Sequence, residues 1–192
     1  MTDFPHDAPP MRPQAIIPSR IRVVQRNSFD IKILTELHQS CFTPGWSEKL
    51  MSDTVCSPIN LAVFALQSPP GYAETIAGFL IAQVIGNGPG QNSGYNSGHN
   101  QTPSGEAEIL SFGVLPEFRR LGLARLLLHD ITRRIAGMGV RNLFLEVAVT
   151  NLAARSLYEN SGFRQVGERK NYYPLPRGQS EDALVLRRDL AV

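Results

Sequence analysis

The sequence predicts a mixed α/β fold in which helices cover both faces of a central mixed sheet. Strand-like and helix-like segments are interleaved along the chain, with consecutive strands early and alternation of strand and helix later. That order is typical of layered α/β domains. The chain has 192 residues, of which 42% are hydrophobic, so one domain with a substantial core is expected.

The first half of the chain predicts a lead-in, two helices and three strands. Residues 1–20 are rich in proline and are expected to be a disordered lead-in to a domain covering residues 21–189. Apolar residues recur at helical spacing before residue 42, and Ser47 is a suitable N-cap for a second helix. The predicted elements are a strand at Ile21–Val24, helices at Phe29–Phe42 and Ser47–Val55, and strands at Leu61–Leu66 and Ile76–Val84.

The second half begins with a Gly-, Asn- and Ser-rich segment at residues 86–105. This segment cannot bury a core and is expected to be a flexible hairpin loop. Asn151 and Gly162 suit the N-cap and the C′ position of a helix between them. The elements predicted here are the strand Glu106–Val114, the helix Leu121–Ala136, the strand Asn142–Ala148, the helix Leu152–Asn160, and the strands Phe163–Arg169 and Ala183–Arg188.

Composition argues against several classes of function. A net charge of +2 gives no reason to expect direct nucleic-acid binding. Two cysteines and four histidines without ligand spacing predict neither a disulfide framework nor a metal site. No apolar run approaches the ~18 residues of a membrane span, and the N-terminus lacks the pattern of a secretory signal. The cytoplasm is the expected location, and no oligomeric state is predicted.

The segment Arg119–Ala124 is the most informative motif. It follows an apolar strand and opens a helix, whose first N–H groups have no partner within the helix and carry partial positive charge. Gly122 allows close backbone approach, Ala124 stays small, and two arginines can pair with phosphate. The motif indicates an anion site, and the alternative is a basic surface turn.

The order of three motifs resembles the GNAT superfamily of acetyl-CoA-dependent N-acetyltransferases. The motifs are R-x-x-G-x-A from Arg119, a strand glutamate at Glu146, and N-x-A-A-x-x-L-Y-x-x-x-G-F from Asn151. Within the superfamily the chain is similar to the bacterial ribosomal-protein alanine N-acetyltransferase family (RimI), over about residues 21–189 apart from the loop. Further segments that resemble that family are Pro44–Glu48, Arg169–Pro174 and Glu181–Ala183.

The resemblance implies a fold and a cofactor site. The expected sheet is splayed between its fourth and fifth strands, and acetyl-CoA lies in the gap. Asn151 is expected to contact the cofactor as well as to cap its helix, and Leu121 stands where the family often has a basic residue. The strand residues implied to hold the pantetheine arm and the thioester are Phe112, Gly113 and Val114, and the turn residues implied around the pyrophosphate are Arg120, Leu121, Gly122, Leu123, Ala124 and Arg125.

Glu146 and Tyr158 are the candidate catalytic residues. Glu146 shares one strand face with Phe144 and Ala148, and burial among apolar neighbours raises a carboxylate pKa toward that of a general base. The matching glutamate of the family deprotonates the amine; the alternative is a glutamate paired with a nearby arginine for structure. The matching tyrosine protonates the departing thiolate, and the alternative for Tyr158 is a core tyrosine.

Trp46, Tyr172 and Tyr173 are the candidate acceptor-side residues, because the matching loops of the family wall the peptide groove. The alternative is aromatic packing beneath loops. Gly45 inserts one residue into the family's usual Pro-Trp pair, which leaves the position of the Trp46 wall open.

Three functions follow, and the first is preferred. It is N-α-acetylation of a ribosomal protein, with alanine as the expected first residue. The second is acetylation of a small amine, and the third is acyl-CoA or ribosomal-protein binding without turnover. An α-amine titrates near ~7.7–8.0 and a lysine amine near ~10.4, so roughly 3.5 kcal/mol separates the costs of deprotonating them. One carboxylate base therefore suits an N-terminal acceptor better than lysine.

Overall fold

The computed structural model describes residues 20–25, 30–68, 73–85, 105–175 and 178–190. The predicted lead-in, apart from Arg20, and the predicted loop at 86–105, apart from Gly105, lie outside these residues. The described strands are β1 (Arg20–Gln25), β2 (Asn60–Ser68), β3 (Thr75–Ile85), β4 (Gly105–Val114), β5 (Val140–Ala148), β6 (Arg164–Pro174) and β7 (Ser180–Asp189). The described helices are α1 (Ile31–Cys41), α2 (Glu48–Val55), α3 (Leu123–Gly137) and α4 (Leu152–Glu159), and a 3-10 turn spans Pro116–Phe118.

The strands form one seven-stranded sheet in the order β1-β2-β3-β4-β5-β7-β6. Neighbouring strands run antiparallel except β4 and β5, which run parallel. Because α3 follows β4 and precedes β5, it serves as the crossover that a parallel pair requires. The predicted mixed sheet is confirmed.

The sheet is splayed between β4 and β5. These two strands pair only from Gly105↔Val140 to Glu108↔Phe144, although each continues beyond that point. Past it, β5 pairs with β7 as far as Ala148↔Ala183, and β4 pairs with β3 as far as Gly78↔Val114. The two halves of the sheet therefore separate into a V, where the resemblance to GNAT enzymes implied one.

A β-bulge in β4 determines which of its side chains lie on each face of the sheet. Ile81 pairs with Ser111 and the next residue, Ala82, pairs with Ile109, so one residue of β4 is extra. An extra residue reverses the alternation of faces beyond it. As a result Ile109 and Phe112 both pack with the core beneath α3, while Ser111 turns toward α1, where it meets His38.

Two apolar clusters hold the helices onto the sheet. The larger lies on the α3 side and includes Leu127, Leu128 and Ile131. Full burial of such a side chain contributes about 1.5–3 kcal/mol. The smaller lies beneath α1 and α2 and includes Leu34, Met51, Phe64, Phe79 and Ile81. Helices thus cover both faces of the sheet, as predicted.

The predicted elements are all present, with shifts at their ends. Helix α3 begins at Leu123 rather than at Leu121, because Arg120 (φ 65°) and Gly122 (φ 81°) have left-handed backbone conformations that cannot belong to the helix. Helix α1 begins after Asp30, whose carboxylate accepts hydrogen bonds from the N–H groups of Lys32 and Ile33. Among the helices of the described residues, none is both long enough and apolar enough to span a bilayer.

Candidate active site

The separation of β4 from β5 leaves one edge of β4 unpaired among the described strands. From Ile109 to Val114, β4 pairs with β3 on one side and with no described strand on the other. An unpaired strand edge presents N–H and C=O groups that require partners. The backbone of Phe112, Gly113 and Val114 can therefore bind an extended polar ligand.

The N-terminus of α3 lies directly beyond this edge. Gly122 is its N-cap, with no side-chain capping bond and with open space around the position of a Cβ. The first N–H groups of the helix therefore point outward without a side-chain partner. The guanidinium of Arg119 donates to the carbonyl of Val114 at 3.1 Å, which fastens the turn to the end of β4. This geometry suits a phosphate group.

Helix α4 has the caps that its sequence predicted. The Asn151 side chain accepts a hydrogen bond from the Ala154 N–H at 3.1 Å. At the other end Gly162 is left-handed, with φ 84°. Its N–H donates to the Glu159 carbonyl at 3.0 Å, and the Phe163 N–H donates to the Tyr158 carbonyl at 3.0 Å. These two bonds form the Schellman motif.

Tyr158 projects from α4 into the protein. It is only 7% exposed, and its ring packs 6.3 Å from that of Phe112 on β4 and 5.6 Å from that of Phe163. Burial raises the pKa of its phenol far above the usual range, and the nearby Tyr173 raises it further. Tyr158 therefore keeps its proton through the neutral range and can act as a donor beside β4.

Glu146 lies on β5 with its side chain 10% exposed. As predicted, Leu143, Leu145 and Val147 are buried in the core, so Glu146 lies on the opposite face. Arg169 Nε approaches Glu146 Oε1 at 2.7 Å, and a hydrogen bond to Glu146 is the main cause of a raised Tyr172 pKa. The arginine pair that the sequence left as an alternative is thus present, and it is compatible with a role in catalysis because Arg169 is 57% exposed and can move away.

Glu108 is a second carboxylate at the site, and the sequence interpretation missed it. It is the last residue of β4 to pair with β5, opposite Phe144, and so lies at the vertex of the V. Burial raises its pKa first and Glu146 raises it further, whereas Arg169 lowers it. The sequence carried a signal for it, because Glu106 and Glu108 alternate with apolar residues. That alternation places both carboxylates on one face of a strand predicted to border the cofactor.

The candidate acceptor residues divide into two groups. Tyr172 and Tyr173 meet edge to face at 5.1 Å, and the Arg169 guanidinium lies 5.2 Å from the centre of the Tyr172 ring. Burial, and next the charge of Glu146, raise the pKa of Tyr173 to about 12. The two tyrosines therefore gather at Glu146, whereas Trp46 lies between α1 and α2 and stacks on His38.

The inserted Gly45 has a structural explanation. A Cβ at Gly45 would lie 2.5 Å from Cγ and 2.7 Å from Cα of Gln39 on α1. Real Cβ atoms do not approach backbone atoms so closely, so glycine lets this connection lie directly on the helix. The Gln39 side chain also donates to the Trp46 carbonyl at 3.3 Å. Trp46 is thereby held against α1.

The elements that border the V match a known protein family in sequence. A sequence model of the Acetyltransferase (GNAT) family matches residues 31–163, a span that includes β4, the turn before α3, β5 and α4. The chain belongs to this family. In the described residues of this GNAT protein, no group of three or more His, Cys, Asp or Glu side chains could hold a metal ion.

Individual relatives and structures are similar over different lengths. The ribosomal protein bS18 alanine N-acetyltransferase of Haemophilus influenzae is 42% identical over 86 residues, which are 45% of this chain and 58% of that protein. The chain thus spans less than two thirds of that relative. The crystal structure of the ribosomal-protein-S18-alanine N-acetyltransferase from Escherichia coli is 26% identical, with a TM-score of 0.72 over 90% of this chain and 96% of that one.

A plant structure extends the likeness of fold. Arabidopsis thaliana NAA60 in complex with acetyl-CoA is 21% identical, with a TM-score of 0.74 over 88% of this chain and 98% of that chain. At this identity the match supports the shared fold alone.

Proposed function

We propose that this GNAT protein transfers the acetyl group of acetyl-CoA to the N-terminal amine of a ribosomal protein, with alanine as the first residue, in the cytoplasm. The observation that carries the proposal is the grouping of Glu146, Tyr172 and Tyr173 beside a V whose other strand, β4, contacts Tyr158. The names of the similar bacterial proteins support the choice of acceptor.

Acetyl-CoA is the proposed donor, held by backbone groups. The pyrophosphate would lie against the N-terminus of α3, near Arg120 and Arg125, where unpartnered N–H groups and the helix dipole favour an anion. The pantetheine arm would extend along the free edge of β4 and hydrogen-bond to it as a further strand does. Asn151 at the start of α4 adds a polar contact near this arm.

The thioester carbonyl would lie at Phe112–Val114, where backbone N–H groups of β4 can stabilise the developing oxyanion. A preorganised donor of this kind contributes about 2.7–4 kcal/mol to the rate. The acceptor nitrogen attacks the carbonyl carbon, the carbon–sulfur bond breaks, and the amide and the thiolate of coenzyme A are formed.

Glu146 is the proposed general base. The acceptor arrives as an ammonium, and Glu146 takes its proton directly or through one water, so that the nitrogen lone pair becomes free to attack. Arg169 Nε contacts this carboxylate at 2.7 Å and has to move aside when the ammonium binds. Groups in such a role contribute about 10²–10⁴-fold.

Tyr158 is the proposed general acid. Its raised pKa keeps the phenol protonated at neutral pH, and its position against Phe112 keeps it close to β4. It donates its proton to the departing thiolate and is reprotonated from solvent, which also takes up the second proton that the acceptor nitrogen loses as the amide forms. Coenzyme A is a good leaving group, so this residue accelerates the step without being indispensable to it.

The acceptor preference follows from the walls and the base. Tyr172 and Tyr173 narrow the space beside Glu146, which favours a small first residue. An α-amine also has a lower pKa than a lysine amine, so its deprotonation by one carboxylate costs roughly 3.5 kcal/mol less. We therefore expect alanine-start peptides to be preferred over polyamines and internal lysines.

The test compares kcat/KM for three acceptors with acetyl-CoA as the donor. These are an alanine-start peptide, spermidine, and a peptide that has an internal lysine and a blocked N-terminus. The alanine-start peptide should have the highest kcat/KM. Tyr173→Ala should raise the KM for this peptide or widen the range of first residues that are accepted, while the affinity for acetyl-CoA stays unchanged. If spermidine or the lysine peptide equals it, the ribosomal-protein proposal is wrong and small-amine acetylation replaces it.

A further inference from the structure

His38 is a buried imidazole for which the proposed chemistry has no use. It lies on α1 and is only 3% exposed. Its ring stacks on Trp46 at 4.6 Å and contacts the rings of Phe42 at 4.6 Å and Phe79 at 5.6 Å. A phenylalanine or leucine would satisfy such an apolar pocket, so packing alone does not explain an imidazole there.

Both ring nitrogens of His38 have partners, and the partners fix the tautomer. The backbone N–H of Trp46 donates to Nδ1 at 3.1 Å, so Nδ1 carries no proton. Nε2 therefore carries it in the neutral ring and donates to the Ser111 hydroxyl at 3.1 Å. Burial lowers the pKa of His38 to about 4, which keeps the ring neutral in the physiological range.

The two partners of His38 belong to opposite sides of the proposed reaction. Ser111 is on β4, in the part that has separated from β5, directly before Phe112. Trp46 is in the connection between α1 and α2, the expected acceptor side. A single buried ring thus joins the strand proposed to hold the thioester to the segment proposed to face the peptide.

We propose that His38 is a positioning residue that fixes the Trp46 segment relative to Ser111–Val114, so that acceptor wall and acetyl donor keep one geometry. The catalytic half of this proposal rests on the proposed function. The two hydrogen bonds that join His38 to the Trp46 N–H and to the Ser111 hydroxyl form a tether. This tether is a property of the folded chain and can be tested without turnover. Misplacement of reacting groups by about 1 Å can cost on the order of 10²-fold in rate.

Trp46 is the only tryptophan in the chain, so its fluorescence reports directly on the tether. In His38→Phe an aromatic ring is kept, one atom larger than imidazole, and both hydrogen bonds are lost. We expect Trp46 to become more accessible to acrylamide and its anisotropy to fall, while the far-ultraviolet circular dichroism is unchanged. His38→Asn can still accept from the Trp46 N–H through its side-chain carbonyl, and it should restore most of the wild-type signal.

Thr35→Val is the matched control. Thr35 is on the same helix and is 4% exposed, but its hydroxyl donates only to the Ile31 carbonyl within α1, at 2.8 Å. This variant should leave the Trp46 signal and activity at the wild-type level. Ser111→Ala removes only the β4 side of the tether, and its effect combined with His38→Phe should be smaller than the sum of the two.

The catalytic arm measures kcat/KM for an alanine-start peptide and, separately, the Kd of acetyl-CoA. We expect His38→Phe to lower kcat/KM by roughly 10²-fold with little change in the Kd. If Trp46 is as shielded from acrylamide and as immobile in His38→Phe as in the wild type, the tether proposal is wrong. A mobilised Trp46 with undiminished kcat/KM would overturn the positioning role. If the wild-type protein acetylates none of the acceptors, the proposed function fails, and the fluorescence arm still decides the tether.

Discussion

Replacing Gly113 with alanine tests how tightly the proposed thioester strand is held. Gly113 lies on β4 opposite Phe79 of β3. A Cβ at this position would lie 2.8 Å from Phe79 Cε1, 3.0 Å from Phe79 Cζ and 3.0 Å from Cys41 Sγ. Phe79 is buried and packs against the rings of His38 and Phe42. The neighbours therefore cannot simply swing out of the way.

The magnitude follows from these distances. Carbon atoms in favourable contact are about 3.5–4.0 Å apart, so Phe79 or β4 has to shift by about 0.7 Å or more. Overpacking of this kind costs about 1–3 kcal/mol of folding free energy. For a chain of this size each kcal/mol lowers Tm by about 2–4 °C, so we expect a decrease of about 2–12 °C by calorimetry.

The same shift should impair catalysis more than it impairs binding. If β4 is displaced from α1, the backbone N–H groups near Gly113 no longer point at the developing oxyanion. Loss of one such donor lowers kcat by about 10²–10³-fold, and a partial misalignment should lower it by less. Steady-state kinetics at saturating acetyl-CoA and peptide measure this effect, and calorimetric titration measures acetyl-CoA binding.

Gly137→Ala is the control for a glycine-to-alanine change as such. Gly137 is the last residue of α3, and a Cβ there would meet no atom within 4 Å. Alanine at a compatible helical position is neutral or stabilises by roughly 0.4–1 kcal/mol. Phe79→Leu should relieve part of the Gly113→Ala defect, so that the double variant is more stable than additivity predicts. A Gly113→Ala protein with wild-type Tm and kcat would refute the reasoning.

Three other substitutions test the proposed cofactor turn and the two proposed catalytic groups. Gly122→Val should raise the acetyl-CoA Kd measured by calorimetry, because a β-branched residue does not tolerate φ 81°; Gly139→Val, equally left-handed at φ 84° but at the far end of α3, should not. Glu146→Gln should lower kcat by about 10²–10⁴-fold near neutral pH, and the defect should ease at high pH, where the amine is already neutral; a pH–rate profile of unchanged shape would remove Glu146 from the base role. Tyr158→Phe should lower kcat and leave acetyl-CoA affinity intact. Because the raised phenol pKa keeps wild-type Tyr158 protonated well into the alkaline range, the wild-type enzyme should stay active there. A loss of wild-type activity near the ordinary tyrosine pKa of about 10 would contradict the assignment.

Local features of the fold could be predicted because local sequence determines them. Asn151 and Gly162 end α4 where their side chain and left-handed backbone predict. The alternation around Glu146 identifies the core face of β5, because side chains on a strand alternate between faces. The turn at Gly122 could be recognised from its place between a strand and a helix. Several element ends were misplaced. Helix α3 begins later than predicted, because the left-handed conformation of Arg120 is not apparent from its residue type, and β6 continues to Pro174 rather than ending at Arg169.

The amino-acid sequence by itself determined the order of the strands and helices, their caps, the turn proposed to bind an anion and the resemblance to GNAT enzymes, since each depends on residues close together in the chain. Only the tertiary structure decided what meets across the V. The pairing of β4 with β5 brings Glu108 near Glu146, and the β6–β7 hairpin carries Arg169 to the same carboxylate. The bulge in β4 turns Ser111 toward His38. These contacts depend on strand register between distant segments, which local periodicity does not encode.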